Sequence, residues 1–454
     1  MSRAPKVERA RVPAPLVRWR LPSGRGATEQ PNVTGDGDAP LTPRFWVFLV
    51  LTGVATGLFS ALMMLVLFPV QHLVFGYDTT SYQAAAERSG DLRRLVALLA
   101  AGVFGGVAWY LVRRFMPGEK TDLDDVVWRP GQKLSFRRSF LSGVISEVVV
   151  ALGASLGREN APKLMGGASG SVLADAGRLT PGQKRLLMAC GAGAGFAAVY
   201  NVPLGGALLA AEVMLGTISL PVILPALACS AAATVTAWIY LPQQATYPDV
   251  PAYRVTVPLM VFALVAGPLM GVIASGYIRF IGWVTHYQLT GVRSIWAQIA
   301  AMGLLGVVGF AFPQLFGNGK DMAADAFAGV GSLGLLLALA VLKPLMTGAC
   351  LGAGASGGLF TPTLSTGAVL GAAGGIAWSM AWPGSPAGAY ALVGAACMMG
   401  AAMQAPLTAL ALIVELTSGG HSLLIPMIVA TVLSTAVARR IDGYSIYTAR
   451  LRAG

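Results

Sequence analysis

The chain has 454 residues, 55% of them hydrophobic and 11% charged, with a mean hydropathy of +0.66. A soluble chain of this length would form two or three domains with about a quarter of its residues charged, so the composition excludes water as the main solvent and predicts a polytopic membrane protein. The net charge of +12 is clustered beside apolar runs, which fits topology signals next to membrane lipid and speaks against a nucleic-acid partner.

Residues 1–44 hold eight basic side chains (Arg3, Lys6, Arg9, Arg11, Arg18, Arg20, Arg25, Arg44) and four acidic ones, with prolines and no apolar core. This composition predicts a disordered cytoplasmic tail, and without an apolar signal-peptide core the first span is expected to be retained. Two apolar runs follow, Phe45 to Val70 and Leu95 to Val112, each long enough for a helix across roughly 30 Å of hydrocarbon. The polar segment between them is expected outside. Basic clusters from Arg113 to Arg138 and from Arg439 to Arg452 place their flanks, and both termini, in the cytoplasm.

After Ser139 the apolar stretches shorten and are cut by Gly, Pro and isolated charges: Gly157 to Pro162, Pro203, Pro221, Pro225, Pro344, Gly357 to Pro362 and Pro406. Broken helices are expected there, and irregular backbone at membrane depth survives only when buried in protein or lining a wet cavity. The 57 glycines, about one residue in eight against a usual 7% or so, fit both breaks and close helix packing. No soluble regulatory domain is expected after Tyr447. Neither a disulfide partner nor a metal site is expected: Cys190, Cys229, Cys350 and Cys397 lie in apolar stretches without CxxC spacing, and His72, His286 and His421 are scattered.

The sequence repeats itself. Gly191-Ala192, Ala198, Pro203-Leu204, Leu209 and Glu212 recur 203 residues later as Gly394-Ala395, Ala401, Pro406-Leu407, Leu412 and Glu415. Gly153-Ala154-Ser155 and Pro162 recur as Gly354-Ala355-Ser356 and Pro362. Shared small-residue packing explains Gly and Ala but not Pro with Glu at fixed spacing. Repeated membrane halves, here about 95–240 and 256–437 within a single 45–454 transmembrane domain, point to a transport site at their interface.

Within the first break, Gly157-Arg158-Glu159-Asn160-Ala161-Pro162 puts two charges at membrane depth. Each costs at least about 2.5–3.5 kcal/mol there unless it faces protein or water. Glycine frees the backbone to turn, proline fits a helix's first turn, and the helix start aims unpaired N–H groups at an anion. Gly358-Leu359-Phe360-Thr361-Pro362 repeats the construction.

These segments resemble the CLC family of chloride channels and proton/chloride antiporters over essentially all of residues 45–454. Gly157-Arg158-Glu159 matches its GREGP motif in part and Gly358-Leu359-Phe360-Thr361-Pro362 matches GxFxP completely. Asn201 to Gly206, Ala405 to Thr408 and Ser445-Ile446-Tyr447 match further family segments. The resemblance implies an all-α membrane fold of two inverted-topology repeats with tilted and broken helices, a homodimer with one pore per subunit, no enzymatic activity, and a monovalent anion such as chloride in place of any cofactor. It implies a gating role for Glu159, anion binding by Gly157, Arg158, Asn160, Gly358, Leu359 and Phe360, and a hydroxyl from Tyr447 on the inner side. A bacterial inner membrane suits the short chain.

Three departures bear on function. Asn160-Ala161 stands where the family has Gly-Pro, shifting the helix start and bringing Asn160 and Lys163 to its entrance. The family's selectivity serine falls on Gly118, so the hydroxyl is missing. The antiporters' internal proton-transfer glutamate falls on Val213, which relays nothing; with Glu212 expected to hold a helix end, the chain reads as a passive channel, an antiporter using another proton acceptor being the alternative. An intramembrane serine protease built on Gly354-Ala355-Ser356-Gly357 and His421 would rest on a match of four very common residues.

Overall fold

The computed structural model describes residues 41–76, 81–116, 123, 127 and 134–450. The first helix, α1 (Pro43–Phe75), is started by the Thr42 hydroxyl, which accepts the Phe45 N–H. Its 33 residues span about 50 Å, more than the hydrocarbon thickness, so it crosses at a tilt. It overruns the apolar run Phe45 to Val70 at both ends. A short α2 (Tyr82–Arg88) leads to α3 (Asp91–Phe115), the second expected span.

Then come α4 (Phe136–Ala151), α5 (Asn160–Ala176), α6 (Pro181–Tyr200), α7 (Pro203–Leu208, running into a π-helical turn over Leu209–Leu215) and α8 (Leu220–Ala237). The second half holds α9 (Val257–His286), α10 (Arg293–Val308), α11 (Lys320–Phe327), α12 (Leu333–Gly352), α13 (Phe360–Ala381), α14 (Ala387–Met403), α15 (Pro406–Leu416) and α16 (Leu424–Ile441). Seven of the described helices are long and apolar enough to cross a membrane. Leucines and valines along α1 and α9, such as Leu58, Leu65, Leu264 and Leu269, are exposed, an apolar surface that lipid would cover. The chain is an integral membrane protein.

Two expected breaks are not breaks. Pro225 and Pro344 lie inside α8 and α12, which continue through them. A proline forfeits one backbone bond, and packing against neighbouring helices sustains the rest of a membrane helix through it. The true interruptions fall at Gly157 to Glu159, Asn201-Val202, Gly357 to Leu359 and Gln404-Ala405.

The repeat is visible in the packing. A Cβ on Gly166 of α5 would lie 1.9 Å from the carbonyl oxygen of Gly191 on α6, so the backbones cross where only glycine fits. One repeat later, a Cβ on Gly394 of α14 would lie 2.5 Å from the carbonyl oxygen of Gly367 on α13. Helices α6 and α14 end alike, at Asn201 (φ 57°) and Gln404 (φ 55°), 203 residues apart and both left-handed. The C-terminal segment is tied beneath these elements. Arg279 of α9 donates through Nε and Nη2 to Asp442 (2.6 and 2.7 Å), and the Ile446 N–H donates to the Ala402 carbonyl of α14 (2.7 Å).

Candidate anion site

The two breaks meet. Gly157 and Gly358 exchange both backbone hydrogen bonds at 2.8 Å, a single antiparallel bridge that sets the starts of α5 and α13 side by side. Pro162 and Pro362 are each the third residue of their helix, so replacing Gly-Pro by Asn160-Ala161 moves the proline to the position it holds in the second repeat. Helices α4, α6, α9 and α12 are capped by a Ser or Thr side chain, whereas α5 and α13 are not capped by their own N-cap residues, Glu159 and Leu359. Their first N–H groups and positive dipole ends are left for another partner.

At α13 that partner is Glu159. Its Oε1 accepts the Phe360 N–H at 2.9 Å; its Oε2 accepts the Tyr200 hydroxyl at 2.9 Å, with the Thr361 hydroxyl 3.3 Å away. Tyr200 and Thr361 oxygens are 2.6 Å apart. A carboxylate therefore stands on a helix N-terminus, buried, as a permeant anion would. The approach needs glycine on both sides, since a Cβ at Gly157 or Gly358 would fall 2.2 or 2.0 Å from Oε1. Phe196, Tyr200 and Phe360 pack ring to ring around it, with centroids 4.6–5.7 Å apart.

Arg158 points elsewhere. Its guanidinium lies over the rings of Phe68 (5.7 Å) and Tyr200 (5.3 Å) and lines a cavity with Leu67, Gln71, Val150, Lys320 and Asp321. Burial and then the charge of Arg158 push the Lys320 ammonium below its ordinary value. With Asp321 counted against Arg158 and Lys320, the cavity keeps a formal excess of positive charge, which favours anions. A second cavity, sharing no lining residue with the first, is bounded by Glu159, Asn160, Lys163, Gly358, Leu359, Tyr447 and Arg450. Between the two lies the step from Arg158 to Glu159.

In the second cavity Asn160 donates to the Ser356 hydroxyl at 3.3 Å, fastening α5 to the other break. Lys163 holds its ammonium 4.8 Å from the Tyr447 ring centre, and the Tyr447 hydroxyl lies 3.9 Å from the Met403 sulfur. Eight of the nine residues singled out for gating or anion binding (Gly157 to Asn160, Gly358 to Phe360 and Tyr447) thus gather around the bridge and its two cavities. The ninth, Gly118, lies outside the described residues. Val213 is buried in the π-helical turn. Glu212 beside it accepts the Thr408 N–H (2.7 Å) and hydroxyl (2.7 Å) at the start of α15, while Glu415 accepts the N–H groups of Leu204 (3.0 Å) and Gly205 (2.6 Å) at the start of α7. Each glutamate caps its repeat mate's helix. His421 is exposed on a separate turn, Gly420–Leu423.

Sequence reasoning missed Tyr200. It directly precedes the Asn201 segment at the end of an apolar helix, and only that adjacency marks it; its repeat counterpart is Met403, the sulfur facing Tyr447.

The family profile described as voltage gated chloride channel matches residues 95–439. The voltage-gated ClC-type chloride channel ClcB of Citrobacter koseri is 29% identical over 389 residues, covering 82% of this chain and 90% of that protein. ClcB of Salmonella typhi is 28% identical, covering 88% and 95%. Among solved structures, a slow cyanobacterial Cl⁻/H⁺ antiporter superposes with TM-score 0.78 at 24% identity over 90% of this chain and 97% of that one. A CLC-type fluoride/proton antiporter gives 0.71 at 18% identity, covering 89% and 97%. With the profile matched across most of its length and the fold shared, this chain is a member of the voltage gated chloride channel (CLC) family.

Proposed function

We propose that the protein is an anion channel of this family, passing chloride down its gradient through one path per subunit, with Glu159 as the gate. The observation that carries the reading is the Glu159 carboxylate on the α13 N-terminus, held by Phe360, Tyr200 and Thr361. A ligand and a tethered carboxylate compete for the same N–H groups. When Glu159 is ionised and in place, the path is shut; when protonation removes its charge, or the side chain swings out, an anion takes the position. Because the site offers dipoles and a few hydroxyls rather than a full neutralising charge, the anion can also leave.

Passive conduction rather than exchange rests on Val213 and on Glu212, whose oxygens are committed to the start of α15. The ClcB relatives, named chloride channels, point the same way. The similarity to two solved antiporters favours a second reading, proton-coupled anion exchange through another internal proton acceptor. On either reading the working form is a homodimer in a bacterial inner membrane. Both termini are then cytoplasmic, the Arg158 cavity opens outward and the Tyr447 cavity inward. The test of the gate is Glu159→Ala in liposomes. Chloride flux should persist and lose its pH dependence; flux that stays gated and pH-sensitive would remove Glu159 from the role.

A further inference from the structure

Glu147, on the fourth turn of α4, is fully buried, and neither of its carboxyl oxygens has a hydrogen-bond partner among the described residues. Nothing in the gate or the helix caps uses it. One turn earlier, a Cβ at Gly143 would meet Ala161 of α5 (3.3 Å) and the Met63 sulfur of α1 (3.4 Å). One turn later, Val150 lines the Arg158 cavity together with Leu67 and Gln71. Glu147 therefore lies between the middle of α1, the start of α5 and that cavity. The charges acting on it are those of Arg158, of opposite sign, and Glu159, of like sign. On this side α1 presents Met63 beside Gly143 and Leu67 in the cavity wall, neither of them titratable, while the cavity beyond holds Tyr82, Lys320 and Asp321. The Arg158 Nε is likewise buried without a partner.

An unpaired carboxylate in a dry interior costs several kcal/mol, far more than the same group carrying its proton. Glu159, by contrast, accepts the Phe360 N–H and the Tyr200 hydroxyl. A carboxylic acid that stays neutral can still relay a proton, accepting one on one oxygen as it gives up the one on the other. We propose that Glu147 is the proton store of the gate: a buried carboxylic acid that passes its proton to Glu159 and is refilled from water in the Arg158 cavity. One proton leaves a Glu147 oxygen and arrives, directly or through a bridging water, on a Glu159 oxygen. Glu159 becomes neutral and releases the α13 N-terminus. In the same step a hydronium ion in the Arg158 cavity delivers a proton to the other Glu147 oxygen, so Glu147 stays neutral and one proton has passed from the cavity to Glu159. Val213 closes the inner proton route used by related antiporters; Glu147 serves the outer face.

The proposal rests on Glu159 being the gate, and two measurements keep the two ideas apart. Infrared spectra of the purified protein carrying Glu159→Gln should show, at neutral pH, a protonated carboxyl band that disappears when Glu147→Gln is added. A band unchanged by that second substitution overturns the store, whatever the gate does. In liposomes, after an acid step on the Arg158 side, Glu147→Gln should slow the onset of chloride flux by at least about tenfold. Its final level should not change, and Glu147→Asp should restore the rate in part. Glu147→Leu, matched to its apolar surroundings, should be slow in the same way and serves if the glutamine variant folds poorly. Onset rates equal to the unmodified protein's in both variants would overturn the proposal. Failure of the gate itself would appear separately, as pH-sensitive flux in Glu159→Ala.

Discussion

At the scale of single residues, the proposed gate is a contest for one helix N-terminus. The Tyr200 hydroxyl is a charge-assisted donor to Glu159, worth about 1.5–3 kcal/mol. Tyr200→Phe should therefore weaken the closed state by about ten- to a hundredfold, read as higher chloride flux at neutral pH, with little change once acid has neutralised the gate. Gly358→Ala should act in the same direction by another route, since its methyl group would occupy the place of Oε1 and push the carboxylate aside. A variant with unchanged pH dependence would mean that the carboxylate does not need that position. Much of this was legible in the sequence. A charged pair between glycine and proline in an apolar chain has few uses, and the second Gly-x-Phe-x-Pro gave it a partner. Tyr200 was not legible, because one tyrosine at the end of an apolar helix carries no spacing signal and its repeat mate, Met403, does other work. Glu147 was passed over for a related reason: it reads as an ordinary polar position on α4 until its burial and lack of partners are seen.

At the scale of elements, Glu212 and Glu415 show how the halves are locked together. Each carboxylate closes the helix start of the opposite repeat. Loss of such a cap costs about 1–2 kcal/mol. Glu415→Ala and Glu212→Ala should both lower the thermal unfolding temperature in detergent, by similar amounts. A proton carrier at position 212 would instead leave stability alone and change proton flux in Glu212→Gln. The sequence marked Glu212 as a residue that holds a helix end, but not which helix, since that depends on how the halves face each other. Prolines were over-read. Pro225 and Pro344 look like Pro203 and Pro406 in the sequence, yet the first two ride inside helices and the last two begin them. The difference lies in the preceding residue pairs, Asn201-Val202 and Gln404-Ala405, whose first members adopt the left-handed conformation that ends a helix. The C-terminal segment depends on a contact that sequence could not supply, Arg279 with Asp442. Arg279→Ala should loosen Tyr447 and reduce flux without altering its dependence on outer pH, as measured in the same liposomes; unchanged flux would show that Tyr447 is held by other contacts.

For the whole molecule, composition gave the membrane and the repeat gave the architecture, while the coupling of ions is decided by very few side chains. The chain shares its fold with solved antiporters and is 28–29% identical to proteins named channels. Overall likeness does not separate the two behaviours. The proposed passive reading rests on Val213, buried where the resemblance places an internal proton-transfer glutamate, and on Glu212, which accepts the Thr408 hydroxyl. The most direct test loads purified protein into liposomes under a chloride gradient and follows chloride and protons together. A passive channel releases chloride down its gradient and moves no proton against one. Protons driven uphill by the chloride gradient would show exchange and contradict passive conduction.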